Sequence, residues 1–192
     1  MKVIAINGSS RKNGNTSLMI GEVFRVLNSR GIETEEVQLA GEHIKGCMAC
    51  DKCTLNKNGK CVIDDDPLNN IVEKMSEADG VILASPVYFA NVTSGIKAVM
   101  DRAGRVVRAN DYMLKGKVGA AVVAVRRAGS LPTFDALNHF FLVEQMFIPG
   151  STYWNLGIGM ERGEFLDDEE GMRNMRNLGE NMAWLLEKLD QG

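Results

Sequence analysis

The chain has 192 residues, room for one sizeable core, so a single domain over residues 1–192 is expected. Hydrophobic residues make up 45% and charged residues 24%, the balance of a folded globular chain, which excludes disordered and fibrous classes. With 22 Lys and Arg against 25 Asp and Glu, the net charge of -3 supplies no field for nucleic acid or an anionic membrane as main partner.

Met1 to Asn7 turns polar too early for a signal-peptide core, and no apolar run approaches the roughly 20 residues of a membrane span. The expected location is the cytoplasm. Val3 to Asn7 reads as a short buried strand, and the glycine-containing loop behind it leads into a helix ending near Arg30 and Gly31. Ile32 to Leu39 is a second strand, with the mixed polarity of a sheet edge. From about 43 to 63 the alternation breaks, and this segment reads as a cysteine-rich loop inserted into the domain.

Asp64-Asp65-Asp66-Pro67 then starts a helix to about Glu77, because Asp takes up free N–H groups and Pro fits the first helical position. Gly80 to Ser85 is a continuously apolar third strand, Asn91 to about Val107 a helix, and Val118 to Val125 a fourth strand of the same buried type. A helix over Phe134 to Glu144 leads to a fifth strand near Phe147 to Tyr153. The last helix, Glu169 to Leu189, carries Met172, Met175, Leu178, Met182, Leu185, Leu186 and Leu189 on one stripe, which reads as core.

This β/α order favours a parallel sheet covered on both faces. Five strands suit the doubly wound, flavodoxin-like order 2-1-3-4-5, in which ligands bind beyond the strand carboxyl ends at the switch point between strands one and three. The loops after Asn7, Ser85 and Val125 converge there.

The first of these loops, Gly8 to Ser17, combines hydroxyls, a flexible backbone and a helix N-terminus, where free N–H groups and the helix dipole favour an anion. It is not a nucleoside-triphosphatase loop, because Asn15 stands where that motif needs Lys and the glycines are one residue too far apart. The competing reading is a turn in which Ser9, Asn15 and Thr16 only cap the helix. The second loop, Ser85-Pro86-Val87-Tyr88-Phe89, puts a rigid turn and two aromatics where a flat ring would lie if its phosphate occupied the first.

Together, Gly8-Ser9-Ser10-Arg11 with Asn15-Thr16, and Ser85-Pro86-Val87-Tyr88-Phe89 with Lys97 and Asp101-Arg102, resemble the NADPH-dependent FMN reductase family over most of the chain. The resemblance implies that Ser9, Arg11, Asn15, Thr16 and Ser17 hold the FMN phosphate, and that Pro86, Val87, Tyr88 and Phe89 contact the ring and ribityl chain. Lys97 and Asp101 read as a structural i,i+4 pair. After strand four, Arg126, Arg127 and Gly129 reach the same rim, where they serve the flavin edge or an incoming NAD(P)H. The family often has Gln-Glu in a glycine-rich loop here, which this chain replaces with Arg126 to Pro132, leaving nicotinamide use open. Gly157 to Gly163 lacks the third glycine spacing of a dinucleotide fingerprint and reads as a turn.

Cys47, Cys50, Cys53 and Cys61 form C-x2-C-x2-C-x7-C, four soft ligands on one loop. They can hold an iron-sulfur cluster, hold zinc with or without His43, or stay as free or disulfide-bonded thiols. With the FMN loops the motif resembles the iron-sulfur flavoprotein branch, which implies a 4Fe-4S cluster on these four cysteines near a flavin across a subunit interface. His43 reads as a solvated loop residue and His139 as a helix residue.

The expectation is therefore an FMN-dependent oxidoreductase that exchanges electrons between FMN and a cluster, acts as at least a dimer, and meets a redox protein such as a ferredoxin. Two rivals remain: a clusterless NAD(P)H-dependent reductase of flavins or quinones, and a zinc-stabilised phosphate-binding module without turnover.

Overall fold

The computed structural model describes residues 1–191. Strands β1 (Lys2–Asn7), β2 (Glu33–Gln38), β3 (Gly80–Pro86), β4 (Val118–Val125) and β5 (Leu156–Ile158) form one parallel sheet in the order β2-β1-β3-β4-β5. Helices α1 (Asn15–Ser29), α2 (Lys52–Asn56), α3 (Leu68–Glu77), α4 (Ser94–Ala109), α5 (Ser130–Val143) and α6 (Glu169–Asp190) connect and cover it. No helix among the described residues is long and apolar enough to cross a membrane.

Strand side chains alternate between two cores, the period of two that buried strands impose. Val3, Ala5, Ile82, Ala84, Ala120 and Val122 pack against α1 and α6. Ile4, Ile6, Val81, Leu83, Ala121 and Val123 pack against α3, α4 and α5. Strands β1, β3 and β4 are covered on both faces, which is why they are nearly continuous apolar runs, whereas edge strand β2 keeps Glu33 and Glu36 exposed. Of the methionine stripe on α6, Met175 and Met182 are fully buried with Leu178, while Leu189 emerges at the exposed end.

Three boundaries differ from expectation. The fifth strand is not at Phe147 to Tyr153. Phe147 makes only an isolated bridge to Val118; Pro149, which has no N–H to donate, follows, and the chain rejoins the sheet at Leu156–Ile158 beside Val123 to Val125. Helix α4 starts at Ser94, because Tyr88 to Asn91 closes its own turn and Thr93 caps the helix. Helix α5 starts at Ser130, with Pro132 tolerated in the first turn where its missing N–H has no intrahelical role. Within the cysteine segment, Lys52–Asn56 forms the short helix α2, where a loop was expected.

Candidate functional site

The loops at the carboxyl ends of β1, β3, β4 and β5 enclose a cavity of about 240 Å3. The first loop contributes Ser9, Arg11, Gly14, Asn15 and Thr16, and the second Pro86, Val87 and Tyr88. Ala124 and Arg126 come from the third loop, and Gly159 and Met160 from the segment after β5. Ser17, Phe89, Arg127 and Gly129, also expected at the site, do not line it.

The cavity is built around a helix end left open. Helix α1 begins after Gly14, which has no side chain to cap the first backbone N–H groups, and its first turn holds no acidic residue. Thr93 caps α4 by accepting from Ile96 N and Asp168 caps α6 by accepting from Gly171 N, whereas α1, like α2, α3 and α5, has no side-chain cap; α1 differs from those three in opening into this cavity. The free N–H groups and positive dipole end of α1, beside the buried Thr16 and Ser9 and the exposed Arg11, form the donor set of an anion site. A phosphate-bearing flavin fits this chemistry: its phosphate matches the donors of loop one, and its ring matches the apolar and aromatic Pro86, Val87 and Tyr88.

Buried Asn7 organises the first loop. Its Oδ1 accepts from Ser9 N at 2.9 Å, while its Nδ2 donates to Ser17 Oγ at 2.9 Å and to Glu36 Oε1 at 2.7 Å. The Ser17 hydroxyl in turn donates to Glu36 at 2.9 Å, so Ser17 supports the loop from behind. The Asn15 amide is also committed: it donates to Glu161 O at 2.8 Å and accepts from Gly163 N at 2.9 Å. Arg11 Nη1 donates to Met160 O at 3.2 Å.

The segment from Gly157 to Gly163, expected to be only a turn, is thus clamped onto the phosphate loop. A side chain on Gly159 would stand 2.7 Å from Asn15 Nδ2 and 2.9 Å from Phe165 N, so the close approach needs glycine. Three glycines within seven residues are the signal in the sequence for such a close backbone approach, whatever their spacing.

In the second loop, Tyr88 and Asn91 exchange both backbone hydrogen bonds, at 2.9 and 3.0 Å, around Phe89 and Ala90. Both central residues have positive φ, 48° and 58°, as in a type I′ turn, a conformation costing a non-glycine residue about 1–2 kcal/mol. Phe89 is held fully exposed at the tip, and Arg127 is exposed on the third loop. Gly129, at φ 86°, lets the third loop lie against the second.

All four cysteines line a second, small cavity of about 20 Å3, with Ile63, Arg102 and Arg105. Cys53 is buried on α2, and Cys61 is held from both sides: its N–H donates to Asn69 Oδ1 at 2.8 Å and its carbonyl accepts from Asn69 Nδ2 at 3.0 Å. Cys47 and Cys50 are exposed on irregular chain, with Ala49 and Asp51 between and after them at positive φ. Cys53 and Cys61 are therefore anchored, by burial and by hydrogen bonds, whereas Cys47 and Cys50 face solvent. Among the described residues no group of three or more His, Cys, Asp or Glu side chains is gathered tightly enough for one metal ion. His43 is exposed and outside this cavity, as His139 is on α5. Four soft thiols around one cavity suit a core bound at several corners, provided the Cys47–Cys50 side opens to admit it.

Charges around the thiols are paired. The exposed Arg105 pairs with Asp51, and the buried Arg102 pairs with Asp66. Burial alone would raise the Asp66 carboxyl, but the Arg102 guanidinium and the N–H groups of Lys45 and Leu68 outweigh it and hold Asp66 below the usual carboxylate range. Lys97 and Asp101 form the expected surface pair away from both cavities' chemistry.

Residues 1–161 match the protein family described as NADPH-dependent FMN reductase. The chain is 40% identical over 190 residues to an iron-sulfur flavoprotein of Methanocaldococcus jannaschii, spanning 95% of this chain and 96% of that one. It is 34% identical over 193 residues to an iron-sulfur flavoprotein of Methanosarcina thermophila, spanning 100% and 98% respectively. Among solved structures, a flavodoxin from the domain Archaea superposes with a TM-score of 0.64 at 14% identity, over 97% of this chain and 99% of that one, a likeness of fold. The parallel sheet, the open helix end in the loop cavity and these likenesses lead to one assignment: the chain belongs to the NADPH-dependent FMN reductase family, as an FMN-dependent oxidoreductase akin to the iron-sulfur flavoproteins.

Proposed function

We propose that this chain holds FMN in the loop cavity, holds a 4Fe-4S cluster on Cys47, Cys50, Cys53 and Cys61, and passes electrons between the two. The observation that carries the reading is the joint presence of an uncapped α1 N-terminus in one cavity and four thiols around another. When bound, a flavin supplies two-electron and one-electron chemistry, and a cluster supplies one-electron exchange.

The protein's own residues position and shield. The first-turn N–H groups of α1, with Ser9, Arg11 and Thr16, hold the phosphate, and Asn15 does so through its backbone while its side chain fixes the Glu161 to Gly163 segment. Pro86, Val87 and Tyr88 lie along the ring and ribityl chain. Arg126 brings positive charge to the rim, which favours an anionic ring or the phosphate of an incoming NAD(P)H. Ser17 and Gly129 shape the loops without touching the ligand.

Phe89 and the half-exposed Tyr88 offer an aromatic surface beside the open cavity, and a second copy of the chain covering it would exclude water from the ring. The exposed Cys47 and Cys50 leave the thiol side open to a redox protein such as a ferredoxin.

Anaerobic purification followed by flavin extraction and iron and sulfide analysis tests the reading. FMN with iron and sulfide is expected; a colourless zinc protein would reject it. Cys53→Ser replaces a buried soft ligand with a harder one, so iron content should fall while FMN stays and one-electron transfer slows. Iron content and transfer rates equal to wild type would make the thiols bystanders. The small closed volume of the thiol cavity favours a second reading, a clusterless NAD(P)H-dependent reductase, which NAD(P)H oxidation by iron-free protein would support.

A further inference from the structure

Arg102 is a fully buried cation that donates three hydrogen bonds from its two Nη atoms. Nη1 donates to Lys45 O at 3.2 Å and to the Asp66 carboxylate, and Nη2 donates to Ile63 O at 2.9 Å. Lys45 precedes Cys47 and Ile63 follows Cys61, so one guanidinium fastens both ends of the cysteine segment to α4. Of its two further N–H groups, one shares Nη2 with the Ile63 bond; the other is on Nε, a buried nitrogen with no partner at all. The Asp66 pair explains why a cation stands here and leaves that orphan unexplained.

Arg102 lines the same cavity as the four thiols, Cys61 among them. A neutral thiol is a weak acceptor, whereas a thiolate ligating iron is charged and accepts strongly. Cys61 cannot drift away, because Asn69 holds its backbone from both sides.

We infer that Arg102 Nε–H donates to the Cys61 sulfur when an iron-sulfur cluster occupies the thiol cavity, making Arg102 a positioning residue for cluster retention and reduction potential. The inference rests on the cluster reading above and adds a residue to it. A donor and a positive charge beside a ligand sulfur favour the more negative, reduced cluster, so they raise its potential.

Two variants separate this role from loop closure. Arg102→Lys keeps a positive charge beside Asp66 but removes Nε–H together with the Nη bonds to Lys45 O and Ile63 O; Asp66→Asn keeps the guanidinium and weakens the same loop closure, because Asp66 Oδ2 accepts from both Arg102 and Lys45 N. Wild type and both variants, purified anaerobically with FMN bound, are compared by the cluster's midpoint potential in an EPR-monitored titration and by the rate of iron loss to a chelator. Arg102→Lys is expected to show a more negative midpoint and several-fold faster iron loss, or to bind FMN without taking up iron. Asp66→Asn is expected to load iron with the wild-type midpoint and to melt at a lower temperature.

Wild-type midpoint and iron loss in Arg102→Lys would overturn the inference and leave the cluster reading standing. So would equal shifts in both variants, or failure of both to load iron, since the effect would then belong to loop closure. Wild type free of iron and sulfide would overturn both.

Discussion

Glu144 follows α5 with its carboxyl buried against Gly104, and its Oε2 has no hydrogen-bond partner. Burial raises its pKa to about 7, against the lowering pull of Arg108. The unfolded chain ionises this group near the ordinary value of 4.5, so between pH 4.5 and 7 the unfolded state sheds a proton that the folded state keeps. Its contribution to stability is therefore full below pH 4.5, falls as pH rises to about 7 and stays level above. Glu144→Gln should match wild type in urea unfolding at pH 4. At pH 8 it should be more stable by roughly 1–2 kcal/mol, a figure reduced from the full shift because the groove beside it is open to water. A gain of the same size at both pH values would rule out titration as the cause. Sequence does not reveal such a group, because its environment is made by α4 and α5 meeting. The same holds in the phosphate loop: hydroxyls and amides at a helix N-terminus were legible, but not that Asn7 and Glu36 would engage Ser17, or that Glu161 and Gly163 would engage the Asn15 side chain.

The elements that sequence placed well are those whose burial imposes a pattern. β1, β3 and β4 are covered on both faces and so are written as apolar runs, and the amphipathic α6 carries its stripe at helical spacing. β5 has three residues including Gly157, and its pairing depends on where β4 lies, so the more apolar stretch around Phe147 drew the assignment. The third loop shows how an element-level fit reaches the site. A side chain on Gly129 would lie 2.8 Å from Ala90 Cα and 3.0 Å from Val87 Cγ1, at a φ of 86° that an L residue adopts with strain. Gly129→Ala should cost about 1–3 kcal/mol of stability and push the Val87 to Ala90 turn out of place. FMN affinity measured by fluorescence titration should fall with it. Unchanged affinity would mean that this turn does not shape the flavin cavity.

Exposed aromatics gather beside the loop cavity, with Phe89 wholly in solvent and Tyr88 44% exposed on a strained two-residue turn. A strained turn that presents an apolar tip to water has no stabilising role within one chain, and its cost is offset if a second copy covers it. Sedimentation at working concentrations should therefore give a mass that is a multiple of 21.1 kDa. A single-chain mass would remove the dimer from the account. Sequence showed the aromatics but could not show their exposure, which the turn geometry decides.

The cysteine segment is closed at its base by protein groups alone: Arg102 to Lys45, Ile63 and Asp66, and Asn69 to Cys61. Neither the sheet nor the phosphate loop depends on what that segment encloses. If an iron-sulfur core is bound as proposed, its loss to oxygen would thus empty a chamber whose frame still stands. Damage by air would then be a loss of contents, open to repair by iron and sulfide under reducing conditions, with the proposed flavin cavity left intact.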